Sequence, residues 1–339
     1  IDLREILTPE EVAVIAGAPL ADLGWVGARA VGAEAAGARL VGVPLAVTAS
    51  SLLWHPAEAF AAVGYEPPGT WAELQALTER MLADGRTPWC LGLGGGEVDG
   101  ASAVDLWEDL VIEEWASSGT GLPEVARRFD GEAVTSAFER FQAMVTQDGA
   151  VKGGAHSALA TRAEWSAAQM GTGRTPRCWL VHDSAAGRLD WAPPIRPDLE
   201  PLLLPLDVGA PTIRARAYTV VVLRDRPEVR ALVRSMLDPE FGGRLASDPR
   251  DAGVTPALAR ADPGAADSTA RSLQLALADA MFDDARLWID LSDQMPRSTG
   301  MQELPSSMLR IAEAAPGTAG PEIAEVLRRL EAIGPPWTP

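Results

Sequence analysis

The sequence holds a single lysine, Lys152, three histidines, two tyrosines and two cysteines among 339 residues. Each scarcity removes a class of function. Positive charge is almost all arginine and the formal net charge is −18, so the basic patches that grip nucleic acid or an anionic membrane surface are not expected. His55, His156 and His182 are scattered, with no His-Glu-x-x-His pair and no paired cysteine ligands; no metal site is expected. There is no Gly-x-Ser-x-Gly nucleophile elbow. The run Gly92-Leu-Gly-Gly-Gly96 fails both the dinucleotide fingerprint and the P-loop, because Glu97 follows and no Gly-Lys appears. It reads as a glycine turn after a strand. No stretch approaches the roughly 18 apolar residues of a membrane helix; the most apolar short run, Tyr218–Leu223, is of strand length.

What is present suits a globular chain. Apolar residues make up 47% and charged residues 22%, which argues against wholesale disorder. A chain of 339 residues exceeds one typical core and suits two lobes. Thr8-Pro9-Glu-Glu reads as a helix start, with proline at the first helical position. Thr70 and Glu73 make a capping box ahead of the stripe Leu74, Leu77, Met81, Leu82. Ser136 and Glu139 read as another. Residues 103–115 read as an amphipathic helix, with Leu106, Leu110 and Val111 inside and Glu108, Asp109, Glu113 and Glu114 outside. Pro193–Pro211 reads as irregular, and 217–223 as a β-branched strand buried on both faces. Cys90 and Cys178 sit in matched settings, Pro-Trp-Cys90 and Pro176-Arg-Cys178-Trp, which two free buried thiols or a disulfide would both explain.

Five segments, taken in order, carry a family likeness. They are Gly42-Val-Pro-Leu with Ser51-Leu-Leu-Trp-His-Pro-Ala-Glu-Ala-Phe60 and Gly64-Tyr65; Thr70-Trp71-Ala-Glu73-Leu74; Asp225-Arg-Pro-Glu-Val-Arg-Ala-Leu232; Gly253-Val-Thr-Pro256; and Asp290-Leu-Ser-Asp-Gln-Met-Pro296. This pattern resembles the family 1 extracellular sugar-binding proteins of bacterial ABC importers, from about Gly42 to the closing Pro336-Trp337.

The resemblance implies an α/β fold of the type II periplasmic-binding-protein class, two lobes joined by a hinge. Residues 1–43 would be a remainder of lobe one and 44–212 lobe two. Residues 213–262 would return to lobe one, and 263–339 would be helices packing on lobe two and the hinge. Fewer residues precede Gly42 than family members carry there, so part of lobe one is expected to be missing, by truncation or by natural reduction; on truncation the Val220 strand should lack a sheet neighbour or lie at an exposed edge. The likeness also implies an oxidising compartment and a Cys90–Cys178 disulfide.

The implied ligand is a small carbohydrate held by Thr48, Ser50, Ser51, Asp105, Glu108, Trp179, His182 and Asp183. Neither cofactor nor catalysis is implied. The implied partners are the transmembrane subunits of an ABC permease, with a lipid anchor outside these residues as the sole membrane contact and a monomeric state. Three positions depart from the family pattern: Ala101 replaces a tryptophan, Tyr218 an acid and Leu258 a lysine. A glucose-like sugar is therefore not the expected solute. A sensor with a decayed sugar site and a glycoside hydrolase using a carboxylate pair are the alternatives.

Overall fold

The computed structural model of this chain describes residues 1–26, 39–94, 100–118, 132–185, 191–204, 213–247, 253–262, 268–282, 287–295 and 297–332. The chain divides into two units. The first contains Ile1–Ala49 and Ala215–Ile289, and the second contains Ser50–Arg214 and Asp290–Pro336. Its strands are β1 (Trp25–Val26), β2 (Arg39–Leu40), β3 (Gly42–Ala49), β4 (Leu52–Pro56), β5 (Val181–Asp183), β6 (Leu199–Leu203), β7 (Ile213–Val221), β8 (Val254–Pro256) and β9 (Leu287–Ile289). The helices are α1 (Pro9–Ala16), α2 (Ala57–Val63), α3 (Trp71–Ala83), α4 (Ala101–Ser118), α5 (Glu132–Thr146), α6 (Gly154–Ala160), α7 (Ser166–Gln169), α8 (Pro227–Leu237), α9 (Pro239–Ser247), α10 (Ser268–Phe282), α11 (Leu304–Glu313) and α12 (Gly320–Ala332). None of the described helices is long and apolar enough to cross a membrane.

The first unit is organised by a sheet in the order β8-β3-β7-β9. β3 and β7 run antiparallel from Gly42↔Val221 to Ala49↔Ala215. The expected start of α1 is present: Thr8 Oγ1 accepts from the Glu11 N–H, and Glu11 accepts in return from the Thr8 N–H. α1, α8 and the flanking segments bury Leu3, Ile6, Ile15, Val43, Val222 and Val233 in one core. The 217–223 strand is not buried on both faces as expected, since Tyr218 is 43% and Val221 50% exposed. Val220 pairs with Val43, and beyond β7 the sheet continues to the three-residue β9. The expected 263–339 block is divided between the units: α10 stays with the first, where Gln274 donates to the Ala246 and Val254 carbonyls.

The second unit is built on the sheet β5-β4-β6, with β4 buried along its whole length. The proline-rich stretch expected to be irregular supplies β6, whose Pro201 pairs with Trp54. Proline lacks the N–H of a ladder, and β6 tolerates it as an edge strand. The Thr70 cap forms only half of the expected box. Thr70 Oγ1 accepts from the Glu73 N–H, while Glu73 reaches one residue further back, to the Gly69 N–H. α5 starts at Glu132, so Ser136 lies inside the helix and caps nothing. Trp107 and Phe138 stack between α4 and α5 at 4.8 Å, fixing the two helices against each other.

Gly92 and Gly94 are explained by crowding. A Cβ at Gly92 would meet the Arg162 carbonyl oxygen at 2.4 Å, and one at Gly94 would meet that of Leu159 at 2.1 Å. Glycine lets these backbones approach closely. The rest of the glycine run, like Pro336-Trp337, lies outside the described residues.

Cys90 and Cys178 are joined, with Cα atoms 5.4 Å apart. The backbone brings them there: Cys90 donates to the Leu180 carbonyl, and Trp179 and Leu180 both donate to that of Pro88. The bridge closes a sequence separation of 88 residues, which in the chain-entropy model stabilises the fold by about 4–5 kcal/mol. Replacing both cysteines by serine should lower unfolding free energy by that order in urea titrations; an unchanged midpoint would show that the bridge carries no stability.

Candidate functional site

Four acids of α4 were expected to face solvent. Glu108 and Asp109 are instead fully buried, and Glu113 is nearly so. A carboxylate far from water needs a partner charge, and the partner is Arg214 at the start of β7, itself fully buried. Guanidinium carries five N–H donors in a fixed fork, and all five are used. The Nε–H donates to Asp109 Oδ1 at 2.6 Å. Nη1 donates to Glu108 Oε2 at 3.0 Å and to Asp290 Oδ1 at 2.9 Å. Nη2 donates to the carbonyl oxygens of Asp105, at 2.8 Å, and Ser50, at 3.3 Å. The Asp105 carboxylate lies 3.5 Å from Nη1.

The cluster extends beyond the guanidinium. The Ser50 hydroxyl donates to Asp290 Oδ2 at 3.0 Å. Glu108 accepts from the N–H groups of Leu291 and Ser292, at 3.0 and 2.8 Å. His182 Nε2 lies 2.6 Å from Asp109 Oδ2.

Four carboxyl groups around one guanidinium leave negative charge in excess, and the excess is not shared evenly. Burial, then the charge of Asp290, push Glu108 up to about 8 despite Arg214. Its neutral form is therefore favoured relative to an exposed glutamate. Burial pushes Asp109 up as well, but Arg214 and His182 outweigh it and hold the group below its ordinary value. Burial likewise disfavours charge on Arg214, and the surrounding acids, Asp109 first, more than compensate.

Asp183 ends β5, next to this cluster. It is partly exposed and raised to about 6, mainly by burial, with the charge of Asp105 adding to the rise. Its Oδ1 accepts from the Ser184 N–H at 2.7 Å and its Oδ2 from Trp191 Nε1 at 2.5 Å. The Trp191 ring meets Trp54 edge-on at 5.1 Å. Asp105, whose side chain is 17% exposed, is the other partly open acid.

Of the eight residues read from the sequence, Ser50, Asp105, Glu108 and His182 meet around Arg214, and Asp183 sits beside them. Glu108 and His182 are committed to that network. Trp179 is elsewhere: it is 1% exposed and packs on Phe60 and Tyr65, with the Arg86 guanidinium over its ring. Ser51 is buried, and its hydroxyl has no hydrogen-bond partner among the described residues. Thr48, in β3 of the first unit, is buried between Arg216 and Val254 in the ladder. Arg214, Asp109, Asp290 and Trp191 were not anticipated. A cavity of about 230 Å³ between α3 and α5, floored by Trp71 and Trp89, touches none of the eight.

No protein-family profile matches this chain. Two characterised proteins do. The osmoprotective compounds-binding protein GgtB of Synechocystis sp. is 35% identical over 163 residues, 48% of this chain and 36% of that protein. The alpha-glucosides-binding periplasmic protein AglE of Rhizobium meliloti is 29% identical over 220 residues, 59% of this chain and 45% of that protein. The chain thus spans less than half the length of these relatives. Among solved structures, a chitin oligosaccharide binding protein superposes with a TM-score of 0.64 at 17% identity, covering 87% of this chain and 72% of that one. The bacterial solute receptor AcbH, described with a preference for β-D-galactopyranose, gives 0.65 at 13% identity, covering 98% and 80%. The chain shares the fold of these solved proteins, and its sequence is similar to the two binding proteins over 48% and 59% of its length.

The pH dependence of the cluster has a definite sign. Glu108 and Asp183 have folded-state values above their ordinary 4.5 and 3.8. The stability they contribute is full below those values and is lost as pH rises toward about 8 and about 6. Asp109 acts oppositely, losing its contribution only as pH falls below its ordinary 3.8. Between pH 5 and 8 the cluster's contribution should therefore decline. Glu108→Gln, which keeps the neutral form, should flatten the curve of melting temperature against pH over that interval; an unchanged slope would show that Glu108 does not hold its proton. Arg214→Met leaves several buried acids without a counter-charge and should cost about 3–5 kcal/mol in urea denaturation.

Proposed function

We propose that this chain captures a carbohydrate or similar polar solute outside the cytoplasmic membrane. It then delivers the solute, chemically unchanged, to the transmembrane subunits of an ABC importer. The two sequence relatives are named as binding proteins, one for osmoprotective compounds and one for alpha-glucosides. Solved proteins of the same fold include ones bound to raffinose and to maltose. Tethering as a lipoprotein belongs to the same reading.

One observation within the second unit carries the reading furthest. Asp183 is ionised above about pH 6 and partly open. A carboxylate offers about four lone-pair positions, and among the described residues two are taken, by Ser184 and Trp191. The remaining pair suits two hydroxyl donors of a polyol, with Asp105 as a second acceptor. Both relatives are named as binding proteins, which supports binding over hydrolysis.

The test is thermal stability in the presence of maltose, raffinose, galactose and a chitin oligosaccharide. A bound solute at 100 times its Kd adds about 2.7 kcal/mol, and Asp183→Asn should abolish the shift when each protein is compared with its own unliganded melting temperature. No shift with any of the four would overturn the carbohydrate reading. Release of reducing sugar from maltose or the chitin oligosaccharide would replace it with a hydrolase.

A further inference from the structure

Among the described residues the chain passes between the two units at three points, Ala49–Ser50, Arg214–Ala215 and Ile289–Asp290. The residues on the second unit's side of these points are Ser50, Arg214 and Asp290. They are mutually bonded. Arg214 donates to the Ser50 carbonyl and the Asp290 carboxylate, Ser50 donates its N–H to the Arg214 carbonyl at 2.9 Å, and the Ser50 hydroxyl donates to Asp290. All three are 0% exposed. The same guanidinium ties them to α4 through Asp105, Glu108 and Asp109, and Asp109 holds His182, the residue before Asp183.

We propose that Arg214 is a positioning residue. Its guanidinium gathers the three crossing segments onto α4 as one rigid seam and, through that helix, sets the placement of Asp105 and Asp183. The function it would serve rests on the solute-binding reading above, but the seam itself does not. Three observations support the proposal. Every guanidinium donor is spent inside the seam, so no spare donor remains for a solute. Lysine, with three donors on a flexible stem, could not bind the same five acceptors at once. The acceptors also lie 76, 105, 106, 109 and 164 residues from Arg214 along the chain, so no local element could align them with it.

The test reads single-residue amide exchange without any solute. It follows the N–H groups of Ser50, Leu291 and Ser292, which donate to Arg214 or Glu108. Cys90, bonded to Leu180 outside the seam, is the internal control. In Asp290→Asn, which weakens one arm and leaves Arg214 in place, a seam predicts that all three amides exchange faster together, by about tenfold or more, with Cys90 unchanged. Acceleration of Leu291 and Ser292 alone would show independent local bonds and overturn the proposal. If all four amides accelerate equally, the variant has lost global stability. Ser50→Ala, which removes only the hydroxyl on Asp290, then decides: acceleration of Leu291 and Ser292 supports the seam, and no change overturns it. Maltose titration of the same variants keeps the two readings apart. Loss of affinity with a loosened seam supports both, whereas absence of maltose binding in the parent chain leaves the exchange result standing.

Discussion

A single buried guanidinium, that of Arg214, is the constraint around which the second unit is arranged. Moving an isolated ion from water into a protein interior is opposed by an idealised cost on the order of 20 kcal/mol, so Arg214 can be buried only where every donor meets an acceptor. Five acceptors supplied by α4, the Ser50 crossing and Asp290 meet that demand. Such a network is weak grounds for extra stability, because well-packed apolar residues can often replace a buried ion pair without loss. Its distinctive property is geometric. A planar fork accepts one arrangement of partners, and here those partners include each point where the described chain enters or leaves the unit.

The charge balance of the whole chain reappears in miniature. Acids outnumber bases, giving −18 overall, and the cluster places four carboxyl groups against one arginine. Attraction alone cannot keep all four ionised without water. Burial and the charge of Asp290 favour the neutral form of Glu108 against the pull of Arg214, and its carboxyl group takes the N–H groups of Leu291 and Ser292. Asp109, bonded to both Arg214 and His182, keeps its charge instead.

Local patterns in the sequence were legible where their cause is local. The Thr8 cap and the α3 start at Thr70 both rest on neighbours within a few residues. The fold class, and the pairing of Cys90 with Cys178, followed from a resemblance that runs along most of the chain. The misreadings have non-local causes. Glu108 and Asp109 look like a solvated helix face because a buried acid is costly by default, and the arginine that reverses the inference is 105 residues from Asp109. Trp179 follows a cysteine near candidate polar residues, yet contacts with Phe60 and Tyr65 decide its place. A strand in the proline-rich stretch went unseen because proline is compatible with a sheet only at an edge, and edge position is a property of the assembled sheet.

The distinction between Glu108 and Asp183 separates support from contact. Both are acids raised by burial, and both stood among the candidate residues on equal terms. Glu108 has its oxygens occupied by Arg214, Leu291 and Ser292, is fully buried, and is neutral below about pH 8. Asp183 is partly open, accepts two hydrogen bonds among the described residues, and is charged above about pH 6. Under the proposed function a solute's hydroxyl groups need an acceptor that is charged and reachable. On that proposal substitution at Glu108 should act through the fold, and substitution at Asp183 through the solute.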